Sequence, residues 1–126
     1  MAMAAEIEWS SWGPPKGEER GQWVKDRVGE DFGKLTVVKC PLKLMVFCTD
    51  PVKTGSDLSH NAMQEVVLGE IDRYLVSYGH HIPGEHYVLF DVATAGHAKA
   101  WIRTVDGDGI ISSREGLEFR CPIPST

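Results

Sequence analysis

The sequence predicts an α+β domain: an antiparallel or mixed sheet of four to five strands, one long helix packed across it, and a short N-terminal helix. Three observations lead there. Residues 58–78 carry Met63, Val66, Val67, Ile71, Tyr74, Leu75 and Tyr78 at spacings of three and four, the stripe of a helix with one buried face. Residues 86–93 alternate as a strand does, and 42–48 place Leu42, Leu44, Val46 and Cys48 on one face and Lys43, Met45 and Phe47 on the other. The chain of 126 residues is one domain by size, long enough to bury a core without a metal or disulfide.

The elements follow in order. Residues 1–17 read as a flexible arm holding Trp9 and Trp12, because Gly13-Pro14-Pro15 forbids a helix, and the domain proper spans 18–126. Residues 18–28 read as the short helix. Glu18 and Glu19 stand in its first turn, Lys25 and Arg27 near its end, and Gly29 is its C′ residue. Residues 35–48 read as extended, interrupted at Pro41, and the apolar character of 42–48 predicts cover on both faces. A loop over 49–57 leads to Asp57 or Ser59 as helix cap, and Gly79 closes the long helix. After a turn over 80–85 and the strand 86–93, residues 98–105 fit strand or helix equally. Asp106-Gly107-Asp108-Gly109 is a turn, and short strands at Ile110-Ile111 and Leu117–Cys121 close the fold.

Composition narrows the function. Thirteen Lys and Arg against eighteen Asp and Glu give a net charge of −5, which disfavours a phosphate-neutralising nucleic-acid binder and an anionic membrane surface. The N-terminus lacks the basic and apolar regions of a signal peptide, and no run approaches the ~18 apolar residues of a membrane span. Cys40, Cys48 and Cys121 form no CxxC pair and read as reduced, buried thiols, so a cytoplasmic location is expected.

Several constellations carry chemistry on paper. Asp106, Asp108 and Glu115 match positions three, five and twelve of a calcium loop. Thr104 stands where its first Asp belongs, however, and a hairpin closed by Asp-Gly explains the same residues. His80, His81 and His86 with Glu85 hold enough ligands for a zinc or iron site but lack an established spacing. Cys48 ends a strand and has the chemistry of a nucleophile if a histidine is brought to it. Asp91 interrupts an apolar strand on the face of Tyr87 and Leu89. If that face is covered, it is a buried acid needing a partner, and otherwise the polar half of an alternating strand.

Two functions are therefore expected. The first is a small acidic interaction or inhibitor-type domain acting without catalysis or cofactor. Trp9, Trp12, Glu65, Glu70 and Asp72 would contact a protein with a basic surface or a second copy. The second is a small metal-dependent or His/Asp-based enzyme around His80, His81, His86 and Asp91, with Cys48 in reserve. A pocket that gathers those side chains would favour the enzyme; their dispersal, with an apolar patch near the arm, would favour the binder.

Overall fold

The structure is a computed structural model describing residues 3–8, 20–50, 59–92, 97–107 and 111–120. In chain order it runs β1 (Met3–Ile7), α1 (Arg20–Thr36), β2 (Leu42–Phe47), α2 (His60–Ser77), β3 (His86–Val92), β4 (His97–Val105) and β5 (Ile111–Arg120). The five strands lie in one sheet in sequence order. β1, β2 and β3 are parallel; β4 pairs antiparallel to β3, and β5 antiparallel to β4. Successive β–α–β crossovers of one hand put both helices on one face of the sheet, where α1 and α2 pack on each other.

The core lies between the helices and that face. Val24, Val28, Phe32 and Leu35 come from α1, and Met63, Val67, Ile71 and Leu75 from α2. The sheet adds Met45, Phe47, Tyr87, Leu89, Trp101 and Val105. The helical spacing of the first eight and the alternation of the last six are what tertiary burial on one face requires. Arg103 of β4 pins α2 to the sheet. Its Nε and Nη2 donate to Asp72 Oδ1 and Oδ2 at 2.8 and 3.2 Å, the two-pronged geometry guanidinium and carboxylate favour.

The expected mixed sheet, long helix and α+β class are present, with three differences in the elements. α1 is not short: it runs through Gly29 to Thr36 and takes in residues expected to be extended. Gly29 is not its C′ residue but the point of closest approach to α2. A Cβ there would lie 2.9 Å from Glu70 Cγ and 3.0 Å from Tyr74 Cε2. The helix stops at Thr36, whose Oγ1 donates to the Gly33 carbonyl at 2.7 Å. Met3–Ile7, placed in the arm by sequence, is an edge strand, while Trp9 and Trp12 lie outside the described residues. Residues 98–105 are strand, with Ala98–Thr104 paired residue for residue with β3, and β5 is one strand rather than two short ones.

Helices cover only one face of β2. Leu44 and Val46, on the other face, are half-buried, and Leu42 is exposed. Among the described residues no helix is long and apolar enough to cross a membrane.

Candidate functional site

β2 and β3 are parallel, so their carboxyl ends lie side by side, and α2 starts from the same end of the sheet. This is the end at which open α/β sheets place ligands. Asp91, one residue before the end of β3, points under the helices and is 1% exposed. Its carboxylate gathers four donors. Thr49 N–H donates to Oδ1 at 2.9 Å. The Thr49 hydroxyl donates to Oδ2. Gln64 Nε2 reaches Oδ2 at 2.6 Å, and His60 Nε2 lies 3.2 Å from the same oxygen. A buried carboxylate needs such compensation, and the donors come from three places: the residue after Cys48, the first residue of α2, and the next turn of α2.

Each donor is positioned locally. Ser59 caps α2 by accepting from Ala62 N–H at 3.2 Å, which puts His60 at the first helical position. Gln64 is four residues on, on the same helical face, with its Nε2 3.4 Å from His60 Nε2. The His60 side chain is 36% exposed while Asp91 is enclosed, so the imidazole is the member of the set that meets solvent. With Nε2 given to Asp91, Nδ1 is left as the nitrogen that can accept or deliver a proton; no described residue engages it.

An acidic pair lies at the carboxyl end of β1. Asp31 on α1 is buried beside Glu8, with Arg27 and Lys34 one turn to either side. Burial acts to raise the Asp31 carboxyl, but hydrogen bonds from Glu8 and Lys34 and the charges of Lys34 and Arg27 outweigh it. The carboxyl is held below its ordinary range.

The histidine cluster expected from the sequence does not converge. His80 is exposed, and its carbonyl accepts from Lys39 Nζ at 2.9 Å. His81 is tied at the opposite end of the sheet from Asp91. Its Nε2 donates to the Leu75 carbonyl at 2.7 Å and its Nδ1 accepts from the Tyr87 hydroxyl at 3.2 Å. His86 opens β3 on the face away from the helices, 3.0 Å from Thr104 Oγ1. Asp91 is five positions further along and on the other face, as parity requires. Tyr87 OH in turn accepts from Lys43 Nζ at 3.0 Å. Lys43, fully buried, is also paired with the buried Glu85 and donates to the Thr36 carbonyl at 3.2 Å. Burial pushes the Tyr87 phenol up, and the negative charge of Glu85 adds to it.

The other residues singled out by sequence are dispersed. Cys48 is buried immediately before Thr49. Glu65 is exposed on α2. Glu70 is 6% exposed at the α1–α2 contact, where Lys25 and Arg73 pair with it. Asp72 is engaged by Arg103. Asp106 is exposed after β4, Glu115 falls on β5, and Asp108 lies outside the described residues. β4 and β5 pair antiparallel across this segment, as a hairpin does. Among the described residues no group of three or more His, Cys, Asp or Glu is arranged to hold a metal ion.

Thr49, His60 and Gln64 are the members of the site that sequence reasoning did not name. The signal was there in two halves: an acid in the apolar strand at Asp91, and a histidine directly after a capping serine. Nothing in the sequence joins halves 31 residues apart. No family model, no curated protein and no solved structure matches the chain.

Proposed function

We propose that the protein is a small His/Asp-type enzyme in which His60 moves a proton on a polar substrate at the carboxyl ends of β2 and β3. One observation supports this reading: a partly exposed imidazole is held by a fully enclosed carboxylate that three further donors lock in place. Asp91 orients the ring and favours the tautomer with the proton on Nε2, as the buried acid does in other histidine bases. Thr49 and Gln64 keep Asp91 from turning away. His60 Nδ1 is the acid–base atom, acting on a substrate hydroxyl or a water. The test is turnover of a panel of activated carboxyl-ester, phosphoester and amide substrates by the wild type, His60→Gln and Asp91→Asn. Turnover that rises with deprotonation of one group, and falls about 10²-fold or more in His60→Gln with the fold intact, is expected. No turnover of any substrate, or turnover indifferent to His60, overturns the reading.

A second reading is favoured by a different observation. The dispersal of His80, His81 and His86, together with the exposed apolar side chains Met3 and Ile7 of β1 and Leu42 of β2, supports an interaction or inhibitor-type domain. On that reading Trp9 and Trp12 join the strip as contacts. Replacing both with alanine should leave the melting temperature nearly unchanged and weaken association at least about tenfold, ~1.4 kcal/mol. A much earlier melt would instead make the two indoles part of the core.

A further inference from the structure

We propose that β1 is a self-association edge, on which a second copy of this chain adds its own β1 antiparallel across a two-fold axis through Ala5. The proposal stands without the His60–Asp91 site; it gives the interaction reading one occupant.

The argument begins with the main chain. Glu8 N–H donates to the Val46 carbonyl at 2.9 Å, so Glu8 turns its main-chain groups towards β2. Along a strand these groups alternate from side to side, so Glu6 and Ala4 also face β2, and Ile7, Ala5 and Met3 face away. In the described sheet β1 has β2 as its one neighbour, and its other side is an edge. Edge strands are ordinarily protected by Pro, Lys, a bulge or an inward charge on the open side. β1 reads Met-Ala-Ala-Glu-Ile: it is short and carries Glu6 on the helix side, but its outward-facing positions Met3, Ala5 and Ile7 hold no charge, and it has no Pro, no Lys and no register shift against β2.

The sequence of β1 is self-complementary in one register. Centred on Ala5, Met3 faces Ile7 of the second copy, Ala5 faces Ala5, and Ile7 faces Met3. Every outward N–H and C=O of these three residues then meets its counterpart in a hydrogen-bonded pair. Glu6 falls opposite Ala4. A shift to the pairing centred on Glu6 sets the two Glu6 carboxylates against each other, which is destabilising. A shift the other way, to Ala4, leaves Ile7 without a partner among the described residues.

Side chains agree with that register. Met3 is 51% exposed and Ile7 66%, and both lie on the sheet face away from the helices, next to Leu42 at 37%. Pairing brings Met3 of one copy onto Ile7 of the other and makes one apolar strip across the axis. On the helix side the outer surface of α1 carries both signs, with Arg27 paired to Glu30 and Lys34 to Asp31. A two-fold copy therefore meets no block of like charge there.

The test is sedimentation equilibrium of the full chain over micromolar to millimolar concentration, with amide exchange of β1. The expected result is a dimer, with the Ala5 and Ile7 amides protected only where the dimer is populated. Ala5→Pro removes an outward N–H and leaves the bonds to β2 in place, so it should give a monomer with unchanged far-UV circular dichroism. Ile7→Lys should weaken the dimer at least tenfold, and it carries the test if Ala5→Pro does not fold. A monomer at every concentration overturns the proposal. So does a dimer indifferent to Ile7→Lys, which would use another surface. Protection of Ala5 and Ile7 in a monomer also overturns it, because the chain would then cover its own edge.

Discussion

Lys43 and Glu85 form a charge pair inside the protein, at 0% and 1% side-chain exposure. Two charges removed from water are tolerated because each neutralises the other, Ile82 N–H donates to the second oxygen of Glu85, and Thr36 and Tyr87 take the remaining donors of Lys43. Removing one partner is therefore worse than removing both. Glu85→Ala should cost about 3–5 kcal/mol in urea unfolding, because it strands the ammonium. Lys43→Met combined with Glu85→Leu should be close to neutral; an equal loss in the double variant would show that the pair itself stabilises the fold. Tyr87, in the same network, gives stability a pH dependence. Its folded pKa is raised, by burial first and then by Glu85, so above the ordinary phenol pKa of about 10 the native state keeps a proton that the unfolded chain releases. Stability from this group is thus complete below pH ~10 and falls above it, by up to ~1.4 kcal/mol per pH unit. Tyr87→Phe should flatten that limb relative to wild type in alkaline denaturation curves; an unchanged limb would place the titration elsewhere.

At the scale of elements, glycines separate helix propensity from packing. Gly69 faces solvent on α2, and a Cβ there would touch nothing within 4 Å. Gly69→Ala should therefore stabilise by about 1 kcal/mol, the ordinary helix preference of alanine over glycine. Gly29→Ala gains the same preference but drives a methyl to 2.9 Å from Glu70 Cγ, and Glu70 is held on both sides by Lys25 and Arg73. Overpacking of this kind costs about 1–3 kcal/mol, so Gly29→Ala should be the less stable of the two by at least about 1 kcal/mol in urea melts. Equal stabilities would mean the helices part easily. The same glycine explains a limit of the sequence. Gly29 carries the local mark of a helix end, and Leu35-Thr36 the mark of a strand, yet α1 runs across both because α2 needs the space. α2, β2 and β3 were legible because their periodicity is strong over six residues or more. β1 was not, since five residues that include two alanines have a single β-branched side chain, Ile7, and no clear polar face beyond Glu6. Of the candidate site, Asp91 was legible as a misplaced acid, but its partners Thr49, His60 and Gln64 are tertiary neighbours that no local pattern connects.

For the molecule as a whole, the strand order sets a gradient of local stability. β2 and β3 sit inside the sheet, and their Met45, Phe47, Tyr87 and Leu89 are fully enclosed under both helices. β1 is the short outer strand, and of its side chains Ala4 packs against that core while Met3 and Ile7 are exposed. Opening β1 alone thus uncovers little apolar surface, whereas opening β3 uncovers the core, so the two should exchange amide protons through different events. In dilute solution the amides of Glu6 and Glu8, which face β2, should exchange at least about tenfold faster than those of Tyr87 and Leu89, through local opening. If β1 pairs with a second copy, it becomes an interior strand and the gap should narrow as concentration rises. Native-state exchange at two concentrations reads both effects. Equal rates in dilute solution would mean β1 is bound into the global unit, and rates unaffected by concentration would leave β1 as an edge strand at both concentrations.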